Sequence, residues 1–412
     1  MLFKKGPFIL FILASSLLIY IYHSSIYKTN KDHKKVWLAK EPCLLTGINL
    51  TLVAFIKPVD LQVRRLEQML LPSLALFWPT ENLKLTIVTE NSDEMVGKIQ
   101  QISNRILPKG VKISIQLTTL DGNSTGLNRT ENERKKQIVK FWADNFTNSE
   151  FIGIVDADTV FVTPVLINDL FQDGKPIVRG TYGKPKDIFI KSWAASTKLA
   201  TGTDYFANFM CYFPVILRRD DFENIRNHVN QHLNVSKFDQ AFDIFTTTGQ
   251  IYSEFCIMAN YLWHYQQNNY HWILTKVANS SRYFSTGDAD FEQHFPQVDK
   301  FLSRRQPAVS THWAWSQRHL LGGSIERLFL NGICFADKNM RNLCDSSLDA
   351  NYYFYNNFNK AEWLFDLGDD FSQTDTSIAL LNHQQRLNRL SKCEFAWNHT
   401  FIERLKMKLG GK

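Results

Sequence analysis

The sequence lacks several features that assign proteins to common classes. Its 47 Lys and Arg residues are scattered rather than gathered into one basic block, so a net charge of +7 is a weak argument for nucleic-acid binding. None of the six cysteines forms a C-x-x-C pair, which argues against a zinc ribbon or a thioredoxin-like site. No internal repeat, low-complexity tract or long linker rich in Pro, Ser or Gly is present. These absences favour one large domain.

One long apolar stretch lies near the N-terminus. Residues 8–27 have the length that spans a bilayer, and Lys4 and Lys5 precede them. A cleaved signal peptide needs a small-x-small cleavage site, and the stretch ends in a poor one, so we favour an uncleaved signal anchor over a cleaved peptide. The prediction is a cytoplasmic tail, a transmembrane anchor and a short basic stem, over residues 1–7, 8–27 and 28–45.

Seven N-x-[ST] sequons favour a body that faces the lumen of the secretory pathway. Lysines on both sides of the anchor leave its orientation open by charge alone. A lumenal body gives a single-pass type II protein of the Golgi or endoplasmic reticulum membrane, in which disulfides are permitted. Cys334 and Cys344 are close enough in sequence to form one, and the pairing stays open. The sequon asparagines are Asn49, Asn123, Asn128, Asn145, Asn234, Asn279 and Asn398.

Apolar β-rich runs alternate with helical patterns in the first half of the body. The predicted helices span residues 60–77, 93–107 and 130–146. Strands that are apolar throughout and separated by helices are typical of a parallel sheet covered on both faces. We therefore predict an α/β, Rossmann-like fold with a mostly parallel central sheet and helices on both faces. The predicted strands are 48–56, 83–89, 111–117 and 151–155.

The last of these strands runs directly into Asp156, Ala157 and Asp158. Alternation along an extended chain sends residues i and i+2 to one side, so both carboxylates can face one cation. Hard divalent ions prefer such oxygen ligands and leave room for phosphate oxygens. Two carboxylates after a buried strand are costly unless a cation or hydrogen bonds offset their desolvation. A second Asp-x-Asp, at Asp288 and Asp290, lies in a polar context typical of a solvated turn.

With this motif the chain resembles the GT-A class of nucleotide-sugar glycosyltransferases, whose Asp-x-Asp binds a metal and the donor diphosphate. It is similar in particular to poorly characterised families distantly akin to glycogenin-like, family-8 transferases. That similarity includes the helix bearing Gln137 and Lys140 and the Ser253-Glu254-Phe255 segment, and it covers roughly residues 46–320. Residues 321–412 resemble nothing familiar and are treated as an extension of unknown role.

The resemblance implies a metal-dependent glycosyltransferase, specifically a hexosyltransferase. It would move a sugar from a nucleotide-sugar donor to a glycan, protein or lipid acceptor. Retention of the anomeric configuration follows only from the family-8 likeness, and inversion stays open because Glu254 could serve as base. A homo-oligomer also stays open. The chain would meet the membrane through its anchor and would not bind nucleic acid.

The resemblance also implies site residues. Asp156 and Asp158 would hold the metal, with His312 as third ligand, and imidazole favours Mn²⁺ over Mg²⁺. Glu254 would act on the acceptor, as binding group or general base, with Asp158 the second catalytic residue. The expected donor-binding residues are Phe55, Gln137, Lys140, Asp156, Ala157 and Asp158.

Each assignment beyond the motif has an alternative. His312 could lie in an aromatic core, and His264, His271 and His294 compete with it. Glu254 could be a helix N-terminal carboxylate with Ser253 as cap. Lys136, Gln137 and Lys140 could form a solvated helix face. Three tryptophans could either stack on a sugar or pack in the core, and core packing is favoured for each of them: Trp193, Trp313 and Trp315.

Two other functions compete with a transferase. The Asp156 motif resembles the first motif of haloacid-dehalogenase-like phosphatases, in which the first aspartate is the nucleophile. That motif normally follows the first strand of its domain, whereas here it follows the fourth predicted strand. The other alternative is a catalytically inactive transferase fold that serves as a lumenal binding or scaffold protein. The presence of both Asp156 and Asp158 argues against it.

Overall fold

The chain divides into two units, Met1–Pro42 and Cys43–Lys412, and every residue that the structure describes lies in the second. The predicted tail, anchor and stem therefore lie outside the described residues. Within the described part, no helix is long and apolar enough to cross a membrane. The structure is a computed structural model, and it describes residues 47–79, 83–90, 93–108, 111–118, 137–161, 163–182, 184–185, 188–210, 213–247, 251–276, 284–285, 310–312, 325–337, 340, 388–390, 393 and 399–410.

The described strands and helices are numbered in chain order. The strands are β1 (Leu50–Ile56), β2 (Lys84–Glu90), β3 (Lys112–Thr118), β4 (Phe151–Val155), β5 (Thr159–Phe161), β6 (Phe171–Gln172), β7 (Lys175–Tyr182), β8 (Lys184–Pro185), β9 (Ala207–Asn208), β10 (Val215–Arg218), β11 (His271–Lys276), β12 (Phe284–Ser285) and β13 (Ser310–His312). The α-helices are α1 (Asp60–Arg65), α2 (Leu71–Phe77), α3 (Asp93–Ile106), α4 (Ile167–Leu170), α5 (Ile188–Thr201), α6 (Arg219–Leu233), α7 (Phe238–Thr247), α8 (Glu254–Tyr265), α9 (Ile325–Ala336) and α10 (His399–Gly410). A π-helical segment, Leu66–Leu70, joins α1 to α2.

A five-stranded sheet in the order β10-β4-β1-β2-β3 forms the centre of the domain. β4, β1, β2 and β3 are parallel, and β10 adds an antiparallel edge to β4. This confirms the predicted α/β class and the mostly parallel sheet. The chain leaves β1 toward β2 on one side and later returns to β4 on the other. In open α/β sheets, ligands bind outside the carboxyl ends of the strands at such a switch point.

Helices cover both faces of this sheet, as predicted. Side chains along β1 alternate between two apolar cores: Leu52 and Ala54 face one, and Val53 and Phe55 face the other. The first core contains residues of α1, α2 and α3, and the second contains residues of α6, α7 and α8. Because both faces are covered, β1 and β4 are apolar along almost their whole length and every residue in them is buried.

The predicted strands are all present, with bounds that shift by at most two residues. The predicted helix over residues 130–146 differs. Residues 137–140 are helical, and a turn then leads into a 3₁₀ segment, Ala143–Phe146, while residues 130–136 lie outside the described residues. At this point the Phe141 and Trp142 N–H groups donate three residues back, to the Ile138 and Val139 carbonyls, and Arg226 of α6 donates to the Phe141 carbonyl at 2.5 Å.

Part of the C-terminal region belongs to the same core. Phe329 and Ile333 of α9 and Ile402 and Leu405 of α10 are buried together with side chains of β1. Cys334 and Cys393 each take part in a disulfide bond. The predicted Cys334–Cys344 pairing stays a prediction, because Cys344 lies outside the described residues.

A smaller sheet follows the Asp-x-Asp motif. β7 lies at its centre, parallel to β11 and antiparallel to β6 and β9. Asn260 of α8 fixes β9 in place, since its Oδ1 accepts the backbone N–H of Phe206 at 2.7 Å and of Ala207 at 3.2 Å. Helix α8 is thereby joined to the second sheet at one face while its first residue, Glu254, points into the candidate site.

Candidate active site

The Asp-x-Asp motif lies at the carboxyl end of β4, next to β1 at the switch point. Asp156 to Thr159 form a tight turn, in which the Thr159 N–H donates to the Asp156 carbonyl at 3.0 Å. The Thr159 hydroxyl accepts from the Asp156 N–H at 3.1 Å and closes the turn from the other side. The motif is therefore folded rather than extended. The expectation of a pair on one side of an extended strand is wrong in its geometry, although both carboxylates are buried.

Lys140 is the buried cation that holds Asp156. Its Nζ lies 2.9 Å from Asp156 Oδ1 and 2.5 Å from Glu254 Oε1, and its side chain is 2 % exposed. The ammonium also lies 4.5 Å from the ring centre of Phe255. Burial by itself lowers the pKa of Lys140, but the charges of Asp156 and Glu254 outweigh it and raise that pKa above its ordinary value. Lys140 is thus a fixed positive charge, and the alternative of a solvated helix face is wrong for this residue.

Glu254 is the first residue of α8 and is 0 % exposed. Ser253 caps the helix, since its hydroxyl accepts from the Cys256 N–H at 3.3 Å. One carboxylate oxygen of Glu254 binds Lys140, and Oε2 has no hydrogen-bond partner within the described part of the chain. A buried carboxylate is costly to leave half-satisfied, so the Lys140 charge and the N-terminal dipole of α8 must offset that cost.

Arg65, at the end of α1, binds the second aspartate of the motif. Its Nη1 lies 3.1 Å from Asp158 Oδ2, and the exposed fractions of the two side chains are 27 % and 5 %. Arg65 therefore lies between a buried carboxylate and solvent. Arg65 falls within the predicted helix over residues 60–77, and neither its residue type nor its spacing indicates this contact. The available signal was topological: the segment after β1 begins at the same sheet edge as the motif after β4.

Three other residues are expected to bind the donor: Phe55, Ala157 and Gln137. The Phe55 side chain packs edge-on against Phe146, with ring centres 6.0 Å apart, and belongs to the apolar core. Ala157 is fully buried in the turn. Gln137 Nε2 donates to the Tyr252 carbonyl at 3.4 Å, two residues before Glu254. These contacts place all three near the motif or its supports, and their roles toward a donor stay predictions.

His312 is brought next to the motif by its backbone. β13 pairs antiparallel with β5, and His312 lies opposite Thr159, one residue beyond Asp158. Its alternatives are less favourable: His264 Nε2 donates to the Asp204 carbonyl at 2.9 Å, and His271 lies in β11 of the second sheet. Among the described residues, no group of three His, Cys, Asp or Glu side chains is arranged to hold a metal.

The structure describes some of the remaining predicted residues, and others lie outside the described residues. Trp193 is buried against Tyr205 and Cys256, so it is a core residue as expected. Asn49, Asn145 and Asn234 are exposed, as a glycosylated asparagine must be. The other predicted residues lie outside the described residues: Lys136, His294, Trp313, Trp315, the second Asp-x-Asp at 288–290, and the sequons at Asn123, Asn128, Asn279 and Asn398.

Residues 52–288 match a family model described as "Family of unknown function (DUF6492)". The chain belongs to this family. The DUF6492 region begins in β1 and includes Arg65, Lys140, both aspartates of the motif and Glu254, whereas His312 lies beyond it. A comparison with curated protein sequences gives no significant match.

Solved structures give only distant likenesses to this DUF6492 chain, each at 11 % identity. Core-mannan synthase A (CmsA/Ktr4) from Aspergillus fumigatus in its Mn/GDP form has a TM-score of 0.32, with 55 % of this chain and 73 % of that chain covered. Mouse xyloside xylosyltransferase 1 has 0.32, with 64 % and 97 % covered. The mannosyltransferase Ktr4p from S. cerevisiae has 0.37, with 62 % and 82 % covered. TM-scores this low carry no functional inference, so function is inferred from the residues of this chain.

Proposed function

We propose that this protein is a metal-dependent glycosyltransferase that moves a sugar from a nucleotide-sugar to a glycan, protein or lipid acceptor. The observation that carries the proposal is the turn bearing Asp156 and Asp158. It holds two buried carboxylates at the carboxyl end of β4, beside the switch point of a parallel sheet. Acidic oxygens at such an edge suit a divalent cation and a phosphate-bearing ligand together.

The donor set of the described residues fits this kind of ion. Small hard cations are commonly bound through one or two carboxylates plus substrate phosphates, rather than by a cage made only of protein ligands. The described chain supplies two carboxylates here and no three-residue cluster. When bound, the ion would neutralise the charge that develops on the nucleoside diphosphate leaving group. The register of His312 opposite Thr159 supports His312 as third ligand and, with it, Mn²⁺ over Mg²⁺.

The residues beneath the motif have supporting roles in this proposal. Lys140 holds the side chain of Asp156 through an ion pair, and Glu254 in turn holds Lys140 through an ion pair and a hydrogen bond. Because Glu254 is fully buried and already paired, we assign it the role of a positioning residue in place of acceptor base. Asp158, whose partner Arg65 is partly exposed, is the carboxylate that we assign to the donor complex.

The setting of the enzyme follows the same proposal. Residues 8–27 would anchor it in the Golgi or endoplasmic reticulum membrane with the α/β domain in the lumen. The exposure of Asn49, Asn145 and Asn234 supports a lumenal body, since each sequon is accessible for glycan addition.

The first test is thermal unfolding of the purified full-length protein with a panel of nucleotide-sugars, with and without Mn²⁺. A ligand that binds the native state raises the melting temperature. We expect a Mn²⁺-dependent rise with one donor that disappears in Asp158→Asn. A panel with no shift under any condition would remove the donor site and favour the phosphatase or the inactive scaffold.

Transfer assays with the donor so found test the individual roles. Asp156→Asn and Asp158→Asn should each abolish transfer, and His312→Ala should weaken the Mn²⁺ dependence. Glu254→Gln separates positioning from base catalysis. A general base contributes about 10²–10⁴-fold to the rate of transfer. Its removal leaves a pH profile that lacks the acidic limb. A positioning residue should leave the shape of the pH profile intact and raise the Mn²⁺ concentration needed for half-maximal activity.

A further inference from the structure

We propose that Arg65 pairs with Asp158 when no metal is bound and that a divalent cation displaces Arg65 from this carboxylate. The released guanidinium then binds the donor diphosphate. This inference rests on the proposed function, since it specifies how the same site exchanges one cation for another. It assigns a ligand-binding role to a residue that the sequence motif does not contain.

Position and exposure make Arg65 the exchangeable partner. Lys140 and Arg65 each hold one aspartate of the motif, at 2.9 Å and 3.1 Å respectively. Lys140 is 2 % exposed and bound to two carboxylates, so it has no path to solvent without unfolding its surroundings. Arg65 is 27 % exposed and reaches Asp158 from the solvent side, so rotation about its side-chain bonds can release the carboxylate.

Charge favours the exchange. Three of the side chains joined by these contacts are negative and two are positive, so together they carry a net charge of −1. The negative ones are Asp156, Asp158 and Glu254, and the positive ones are Lys140 and Arg65. Replacing the guanidinium by a divalent ion brings the same group to neutrality. Because the carboxylates are buried, where charge interactions are weakly screened, this change is worth more than it would be at the surface.

The backbone after Arg65 is irregular at the point where the exchange would occur. The π-helical segment Leu66–Leu70 begins at the next residue, and the Leu71 N–H reaches back five residues to the Leu66 carbonyl. Single π turns inside α-helices are frequent at functional sites. Leu66 and Leu70 of this segment and the α2 residues that follow are buried in the apolar core, so Arg65 lies where the chain enters that core.

The guanidinium of Arg65 is well suited to bind the donor diphosphate after it leaves Asp158. Its planar fork binds carboxylate and phosphate with the same geometry. A divalent ion at Asp158 would repel it from that carboxylate but attract the donor diphosphate to the same edge of the sheet. Arg65 would then exchange a carboxylate partner for a phosphate partner over a short distance.

The test measures two affinities of the full-length protein that should change in opposite directions. Free Mn²⁺ is followed by electron paramagnetic resonance in the absence of donor, and GDP and UDP are then titrated at saturating Mn²⁺. Arg65→Gln should bind Mn²⁺ about tenfold more tightly, because no guanidinium competes for Asp158, and should bind the nucleoside diphosphate about tenfold more weakly. Arg64→Gln, an exposed neighbour with the same charge change, should alter neither affinity.

The outcomes separate this inference from the proposed function. Mn²⁺ binding by Arg65→Gln that equals or falls below wild type would overturn the competition, provided that Asp158→Asn abolishes binding to the wild-type site. Mn²⁺ binding that is tighter while GDP and UDP binding is unchanged would overturn the diphosphate role. Absence of any Asp158-dependent Mn²⁺ binding would overturn the proposed function as well. If Arg65→Gln fails to fold, Arg65→Lys serves instead, with changes of the same sign and smaller size expected.

Discussion

Replacing Lys140 by methionine removes the charge on which the interior of the site depends. The substitution keeps an unbranched apolar side chain of similar length, so packing against Phe255 is largely retained. It leaves Asp156 and Glu254 buried without the cation that both contact. The experiment therefore tests electrostatics with little change in volume.

The cost follows from the burial of all three side chains. Removing one member of a buried ion pair strands its partner and costs roughly 3–5 kcal/mol of stability. Lys140→Met should fall within that range, and Lys140→Met with Glu254→Gln should recover part of the loss, because only one uncompensated carboxylate then remains. The coupling between the two positions should be on the order of 1–3 kcal/mol.

The assay is equilibrium urea denaturation of the full-length protein near neutral pH. The pKa of Lys140 is raised above its ordinary value of 10.5, so the stability from its charge is fully present below about that pH and is lost only as pH rises through the raised pKa. The contribution of Lys140 to the wild type is therefore constant across neutral pH, and no single buffer biases the comparison.

Lys198→Met provides the matched control. Lys198 binds Asp204 at 2.7 Å, but both side chains are largely exposed, and such a pair is worth less than about 1 kcal/mol. If Lys140→Met costs no more than Lys198→Met, the buried charge is not what holds the motif. A double variant less stable than Lys140→Met alone would also refute the reasoning, since it would mean that the Glu254 charge stabilises the site without Lys140.

Three further predictions concern the scaffold. Gly153→Ala in β4 should cost about 1–3 kcal/mol, because a Cβ there would lie 2.8 Å from a leucine methyl of β1, whereas Gly97→Ala in an open position of α3 should be neutral or stabilising. Arg226→Met should cost about 3–5 kcal/mol by stranding Asp144, which is buried and bound through two hydrogen bonds; a loss comparable to that of a surface pair would contradict this. Burial lowers the pKa of His264 below its usual 6.5, so the unfolded chain takes up a proton that the folded chain does not; stability should fall as pH drops through about 6.5, and His264→Gln should flatten that slope in denaturation curves.

The central sheet was predictable because its signal is local. Strands buried on both faces must be apolar along their length, and β1 and β4 satisfy that condition by composition alone. The end of the helix before β4 was not predictable in the same way. Arg226, far along the chain, takes the Phe141 carbonyl, and no pattern around Phe141 reports a partner that distant.

The site was predictable as residues but not as contacts. The local sequence indicates Asp156, Lys140 and Glu254 one by one as site residues. It does not indicate that Lys140 and Glu254 contact each other, because they are 114 residues apart in the sequence. Arg65 carried no signal of its own, because an arginine in an amphipathic helix is ordinary. Its role depends on β1 and β4 being neighbours, which only the strand order reveals.

The two aspartates of the motif are not equivalent, although the sequence presents them as a pair. Asp156 is held by Lys140, which cannot leave, so its side chain is fixed before any ligand arrives. Asp158 is held by Arg65, which can leave, so its carboxylate becomes available only to a species that outcompetes a guanidinium. A fixed ligand reduces the ordering cost of metal binding, and an exchangeable one couples binding to the release of Arg65. Since Lys140 keeps Glu254 as a partner in either variant, Asp156→Asn and Asp158→Asn should both fold, and only Asp158→Asn should set Arg65 free without a metal.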